Sequence, residues 1–60
     1  MIRSLSRGLD VLILLNRRDS LSASELACEL EIPRATVYRI LETLTDKGLI
    51  EQHNSDQRYR

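Results

Sequence analysis

The sequence predicts a mainly α fold with a small β-hairpin, three helices followed by two short strands in a single domain over residues 1–60. Three observations predict it. Apolar residues recur at helical spacing in three separate stretches. A Ser-x-x-Glu pair, a proline and a glycine mark where those stretches start and stop. After the glycine, two strand-length runs flank the turn-forming triplet Asn54-Ser55-Asp56. With 60 residues and 42% apolar content, the composition is globular and the length allows one domain. Such a domain buries only about 60% of the surface its unfolded chain exposes and holds roughly 3–9 kcal/mol of stability. That leaves little room for a buried catalytic cavity. Trp and Phe are absent, so the core must be aliphatic, with Tyr38 and Tyr59 the only aromatic side chains.

The first helix is read over about residues 4–17, because Leu5, Leu9, Leu12 and Ile13 recur at i, i+4, i+7 and i+8. That stripe is expected to face the core. Val11, Leu14 and Leu15 fall outside it, which makes the helix more apolar than one buried face requires. Either the rest of the domain sandwiches the helix, or Val11, Leu14 and Leu15 form a dimer contact.

A second helix is predicted over 22–30. Ser22 and Glu25 have the spacing of a capping box, in which each side chain satisfies the other residue's backbone N–H. Ala23, Leu26, Ala27 and Leu30 form its buried stripe, and Glu25 and Glu29 point to solvent. Cys28 lies off the stripe with no His or basic cluster in the adjacent sequence, which is the setting of an inert small residue rather than a nucleophile. Glu31-Ile32-Pro33 then breaks the pattern. Pro33 suits the first turn of a third helix over 33–47, where Val37, Ile40, Leu41 and Leu44 keep the buried spacing and Gly48 stops it. Residues 49–60 read as a hairpin, with strands over 49–53 and 57–60. A chain that stops within its second strand reads as part of something longer.

Charge is balanced overall, nine basic residues against nine acidic, but it is not evenly placed. Residues 1–18 carry Arg3, Arg7, Arg17 and Arg18 against Asp10, whereas 19–32 carry Asp19, Glu25, Glu29 and Glu31 with no base. From residue 33 onward Arg34, Arg39, Lys47, Arg58 and Arg60 stand against Glu42, Asp46, Glu51 and Asp56. The longest apolar run, Val11 to Leu15, is far below the roughly 20 residues of a membrane span. No signal peptide is read at the N-terminus. A lone cysteine fits a reducing, cytoplasmic setting.

Helix, helix, tight turn, helix and hairpin together make a three-helix winged helix-turn-helix. With the stripe of the third helix buried, Arg34, Ala35, Thr36, Tyr38, Arg39 and Thr43 lie on the faces left for the major groove of duplex DNA. Arg can donate two hydrogen bonds to a guanine edge, Thr can meet a thymine methyl, and Ala35 lets the backbone approach closely. Ser22 and Ser24 stand at the start of the second helix, where backbone N–H groups and the helix dipole attract phosphate. Arg58 and Arg60 on the wing are placed to reach phosphate or the minor groove.

Ser4-Leu5-Ser6-Arg7-Gly8-Leu9-Asp10-Val11-Leu12, the run Leu21 to Leu30, Pro33-Arg34-Ala35-Thr36-Val37-Tyr38-Arg39-Ile40-Leu41-Glu42-Thr43-Leu44, Gly48-Leu49-Ile50 and Arg58-Tyr59-Arg60 resemble the N-terminal DNA-binding domain of the IclR family of bacterial transcription regulators. The resemblance implies sequence-specific binding of double-stranded operator DNA by a repressor or activator, and a homodimer or dimer of dimers in the full-length protein. It also implies a small-molecule effector held by a C-terminal effector-binding domain that lies outside this chain. Two positions depart from the family pattern: Ala35 stands where many members carry Ser, and Glu31 where the turn commonly has Gly. The first bears on base or phosphate preference, and the second is expected to strain the turn.

An enzyme fits poorly. His53 is the only histidine, and no nucleophile or carboxylate pair is spaced to join it in a triad or metal site. No catalytic residue, metal or cofactor is expected. The alternative that remains open is a winged-helix module that binds protein through the apolar excess of the first helix and never binds DNA. Zero net charge keeps it open, since a lone DNA-binding domain is ordinarily more basic. RNA binding fits less well for want of aromatic stacking surfaces.

Overall fold

In the computed structural model, which describes residues 2–18, 20–53 and 58–59, the three periodic stretches are helices and the wing is a small antiparallel sheet. The elements in chain order are α1 (Arg3–Arg17), β1 (Leu21–Ser22), α2 (Ala23–Leu30), α3 (Arg34–Asp46), β2 (Gln52–His53) and β3 (Arg58–Tyr59). The mainly α, winged helix-turn-helix expectation is met. Helix boundaries fall within a residue of the sequence reading, which is the normal uncertainty of helix ends. Among the described residues no helix is long and apolar enough to cross a membrane.

Local chemistry explains the boundaries. The Ser22 N–H donates to Glu25 Oε1 at 2.9 Å and the Glu25 N–H donates to Ser22 Oγ at 3.2 Å, so the capping box that opens α2 is fully formed. At the other end of α2, Glu31 turns left-handed at φ 55°, ψ 45°, and Ile32 N–H donates back to Ala27 O at 3.1 Å. Pro33 precedes α3 rather than occupying its first turn, with φ −55° and ψ 140°. Gly48 closes α3 at φ 77°. Its N–H reaches Thr45 O, and the Leu49 N–H reaches Leu44 O, each at 3.0 Å, which is the paired closure that a left-handed glycine allows.

Val11 of α1, Leu26 of α2, and Val37 and Leu41 of α3 are sealed from solvent at 0% exposure and form the centre of the core. Leu21, Ala23, Ile32, Ile50 and Tyr59 close it at the rim. The stripes read for α2 and α3 face this core as expected. The one read for α1 does not. Leu5, Leu9 and Ile13 are 53%, 43% and 51% exposed, while Val11 and Leu15 are buried and Leu12 and Leu14 pack partly against the core. Val11, Leu14 and Leu15 themselves have i, i+3, i+4 spacing. Periodicity identifies both stripes of this helix and cannot say which one the other helices cover. The expected dimer contact through Val11 and Leu15 is therefore corrected: both are occupied within their own chain, and half-buried Leu14 lies on the same side.

The sheet has strand order β1-β3-β2, with both pairings antiparallel. Leu21 pairs with Tyr59 and Ser22 with Arg58 on one side of β3, and Gln52 pairs with Tyr59 and His53 with Arg58 on the other. The first wing strand is shorter than its reading over 49–53; Leu49 stands exposed and Ile50 turns into the core before pairing begins. The expected turn at Asn54-Ser55-Asp56 lies outside the described residues. β1 was not anticipated, because two residues carry no alternation to read. Arg18, just after α1, donates from one nitrogen to both carboxylate oxygens of Glu29 at 3.1 Å, tying the end of α1 to α2. The pair is solvent-exposed, so its contribution is about 1 kcal/mol or less.

Candidate nucleic-acid interface

The turn between α2 and α3 sets the direction in which α3 leaves the core. Glu31 reverses the chain, Ile32 is buried beside α2, and the fixed φ of Pro33 starts the next helix. Since Val37 and Leu41 anchor one side of α3, the other side is presented outward. Arg34, Ala35, Tyr38, Arg39 and Thr43 are all exposed, and Thr36 is half-buried at the edge. The six α3 residues singled out from sequence thus share the outer part of one helix.

Thr43 Oγ1 donates to Arg39 O at 3.0 Å, so its hydroxyl proton is held by the helix and its oxygen keeps acceptor capacity. Ser22 is likewise engaged, as the α2 cap, and it brings the Glu25 carboxylate against the first turn of that helix. This carboxylate offsets the positive end of the α2 dipole, which makes Ser22 a structural cap first. Ser24 is exposed on the same first turn. On the wing, the backbone of Arg58 is held in the central strand β3. Arg60 lies outside the described residues.

Two open clefts flank α3. One, of about 960 Å³, separates α3 from the N-terminal half of α1, and Thr36, Arg39 and Thr43 share it with Arg3 and Arg7. Its floor is aliphatic, including Leu5, Leu9, Ile40 and Leu44. The other, of about 390 Å³, lies between α3 and the wing and is lined by Tyr38, Glu42, Thr45, Asp46, Gln52 and Tyr59. Burial, and secondarily the nearby Tyr38, raises the Tyr59 phenol above its ordinary value. The sequence reading did not single out Arg3 and Arg7. Their i, i+4 spacing within a segment of four bases and one acid was the available signal.

Cys28 is exposed on α2. Among the described residues no three His, Cys, Asp or Glu side chains gather into a group able to hold a metal. What this surface offers is hydrogen-bond donors and positive charge on a convex helix, which is chemistry for reading a polyanion.

The chain is similar to known proteins over the same elements. The IclR helix-turn-helix domain matches residues 4–54. An HTH-type transcriptional regulator, BhcR of Paracoccus denitrificans (strain Pd 1222), is 38% identical over 56 residues. That match covers 93% of this chain and 20% of the relative, so the chain spans about a fifth of that regulator's length. No solved structure matches it.

Proposed function

The chain belongs to the IclR helix-turn-helix family, and from that premise we propose that it is the sequence-specific, operator-binding module of a transcription regulator, with α3 lying in the major groove of duplex DNA. One observation carries this reading: the core seals one side of α3 while Arg34, Ala35, Tyr38 and Arg39 stand exposed on its N-terminal half, free of any ion pair among the described residues. Thr36 and Thr43 extend that surface toward α1. Arg39 reads a base edge, most naturally guanine. Ser24 contacts phosphate at the start of α2, and Arg58 and Arg60 hold backbone or the minor groove from the wing.

The module works as a homodimer. Two half-sites read together compensate for a domain with no net charge. The exposed apolar side chains Ile2, Leu5, Leu9 and Ile13 of the α1 region, rather than the buried Val11 and Leu15, supply the surface for a second copy. A further C-terminal domain that binds a small-molecule effector would govern this module in the full-length protein.

Selection of bound duplexes from a random library, followed by affinity measurement across salt, tests the reading. A recovered consensus, bound more tightly than random duplex and with strong salt dependence, is expected. Equal affinity for every duplex would overturn sequence-specific recognition, and absence of binding at low salt would overturn DNA binding itself.

A further inference from the structure

We propose that Arg3 and Arg7 of α1 form a phosphate-binding site for duplex DNA, holding the backbone strand that runs along the α1 side of α3; this rests on the DNA-binding reading above.

Among the described residues, the two flanks of α3 differ in charge. The cleft on the α1 side is lined by three arginines, Arg3, Arg7 and Arg39, and among the described residues by no carboxylate. Among the described residues, the charged side chains that line the cleft on the wing side are Glu42 and Asp46. The three arginines attract a phosphate strand to the α1 side. With no net charge on the chain, attraction cannot come from the molecule as a whole, so local patches must supply it.

Arg3 and Arg7 are suited to the task in three further respects. They are one helical turn apart and so project from the same side of α1. Among the described residues neither is paired with a carboxylate, whereas Arg18 at the other end of α1 is. Arg7 is half-buried, so part of its stem is already held and less freedom is lost when the guanidinium is fixed. The first turn of α1 also carries no acidic residue and no side-chain cap, so its unsatisfied N–H groups add to the positive potential at Arg3. The guanidinium groups bind the phosphodiester oxygens of the backbone and leave the bases unread.

The test compares the full chain with Arg3→Gln and Arg7→Gln, which remove charge but keep length and helix propensity, and with Arg3→Lys and Arg7→Lys. Binding is measured by fluorescence anisotropy across a salt series, on a mixed-sequence duplex of roughly 30 base pairs, long enough for two half-sites, and on the selected consensus. Each Gln variant is expected to weaken both duplexes several-fold alike and to lower the salt slope by about one. Each Lys variant is expected to keep the wild-type slope, since a point charge still serves phosphate. Circular dichroism identifies any variant that loses helix, in which case the Lys replacement at that position decides: a slope at the wild-type value supports the site. A Gln variant that stays folded with an unchanged slope would overturn the proposal, as would one that loses preference for the consensus while keeping affinity for mixed sequence. Failure of the wild-type chain to bind either duplex would instead overturn the DNA-binding reading.

Discussion

Glu31 occupies a backbone conformation, φ 55° and ψ 45°, that clashes with its own Cβ. The penalty is roughly 1–2 kcal/mol, partly offset because glycine has more unfolded-state freedom to lose. Glu31→Gly is therefore expected to stabilise the domain by about 0.5–1 kcal/mol, seen as a rise of a few degrees in Tm. A lower Tm would show that the Glu31 side chain contributes more than the turn costs. Arg39 carries the sharpest functional expectation at this scale. Losing a base contact costs about 1–3 kcal/mol against the preferred base. Arg39→Ala should thus flatten sequence preference at one position of each half-site while leaving affinity for random duplex nearly intact, as competition binding will read. If both fell equally, Thr36 or Tyr38 would be the base reader. Single residues were legible in the sequence wherever a local motif named their role. The Ser22 and Glu25 capping box, the stop at Gly48 and the strained turn at Glu31 all rest on interactions within a few positions of the chain. Ser22 shows the limit: its spacing to Glu25 predicts a cap and its place at a helix start suggests a phosphate contact, and the hydrogen bonds show the cap formed.

Among the elements, α1 separates what periodicity can tell from what it cannot. It has an apolar stripe on each side, and the choice between them is made by where α2 and α3 lie. Those contacts are long-range and leave no mark in the spacing. α2 and α3 have one stripe each, and both were legible. The wing was legible as a hairpin, but β1 was not, because its partner β3 lies far away in sequence. The same gap hid the cleft between α1 and α3, and with it Arg3 and Arg7. The two faces of α1 can be told apart by charge. Val11→Asp would place an unpaired carboxylate in a position of 0% exposure and is expected to abolish the cooperative melt. Leu9→Glu, on the exposed face, is expected to keep the circular dichroism spectrum and an unfolding free energy within about 0.5 kcal/mol of wild type while shifting sedimentation toward monomer. An unchanged monomer–dimer equilibrium would remove this face from assembly.

For the molecule as a whole, stability rests on a small aliphatic core with Tyr59 at its edge. Burial raises the Tyr59 phenol, so the folded state disfavours the phenolate more than the unfolded state does. The associated stability is fully present below the unfolded value near 10 and is lost as pH rises through the higher folded value. Urea midpoints measured from about pH 9 to about pH 11 should fall more steeply for wild type than for Tyr59→Phe; parallel curves would mean the phenol is as well solvated folded as unfolded. Tyr59 also has a role in time. β3 is the middle strand, and the two segments it joins lie on either side of α2 and α3 in sequence. During synthesis the three helices emerge first and can form from local contacts, whereas the ladder closes only after residue 59 has left the ribosome. Until then Leu21 and Ile50 lack the strand that completes their cover. The wing is therefore the latch of the domain, and a nascent chain acquires its finished surface in one late step rather than helix by helix.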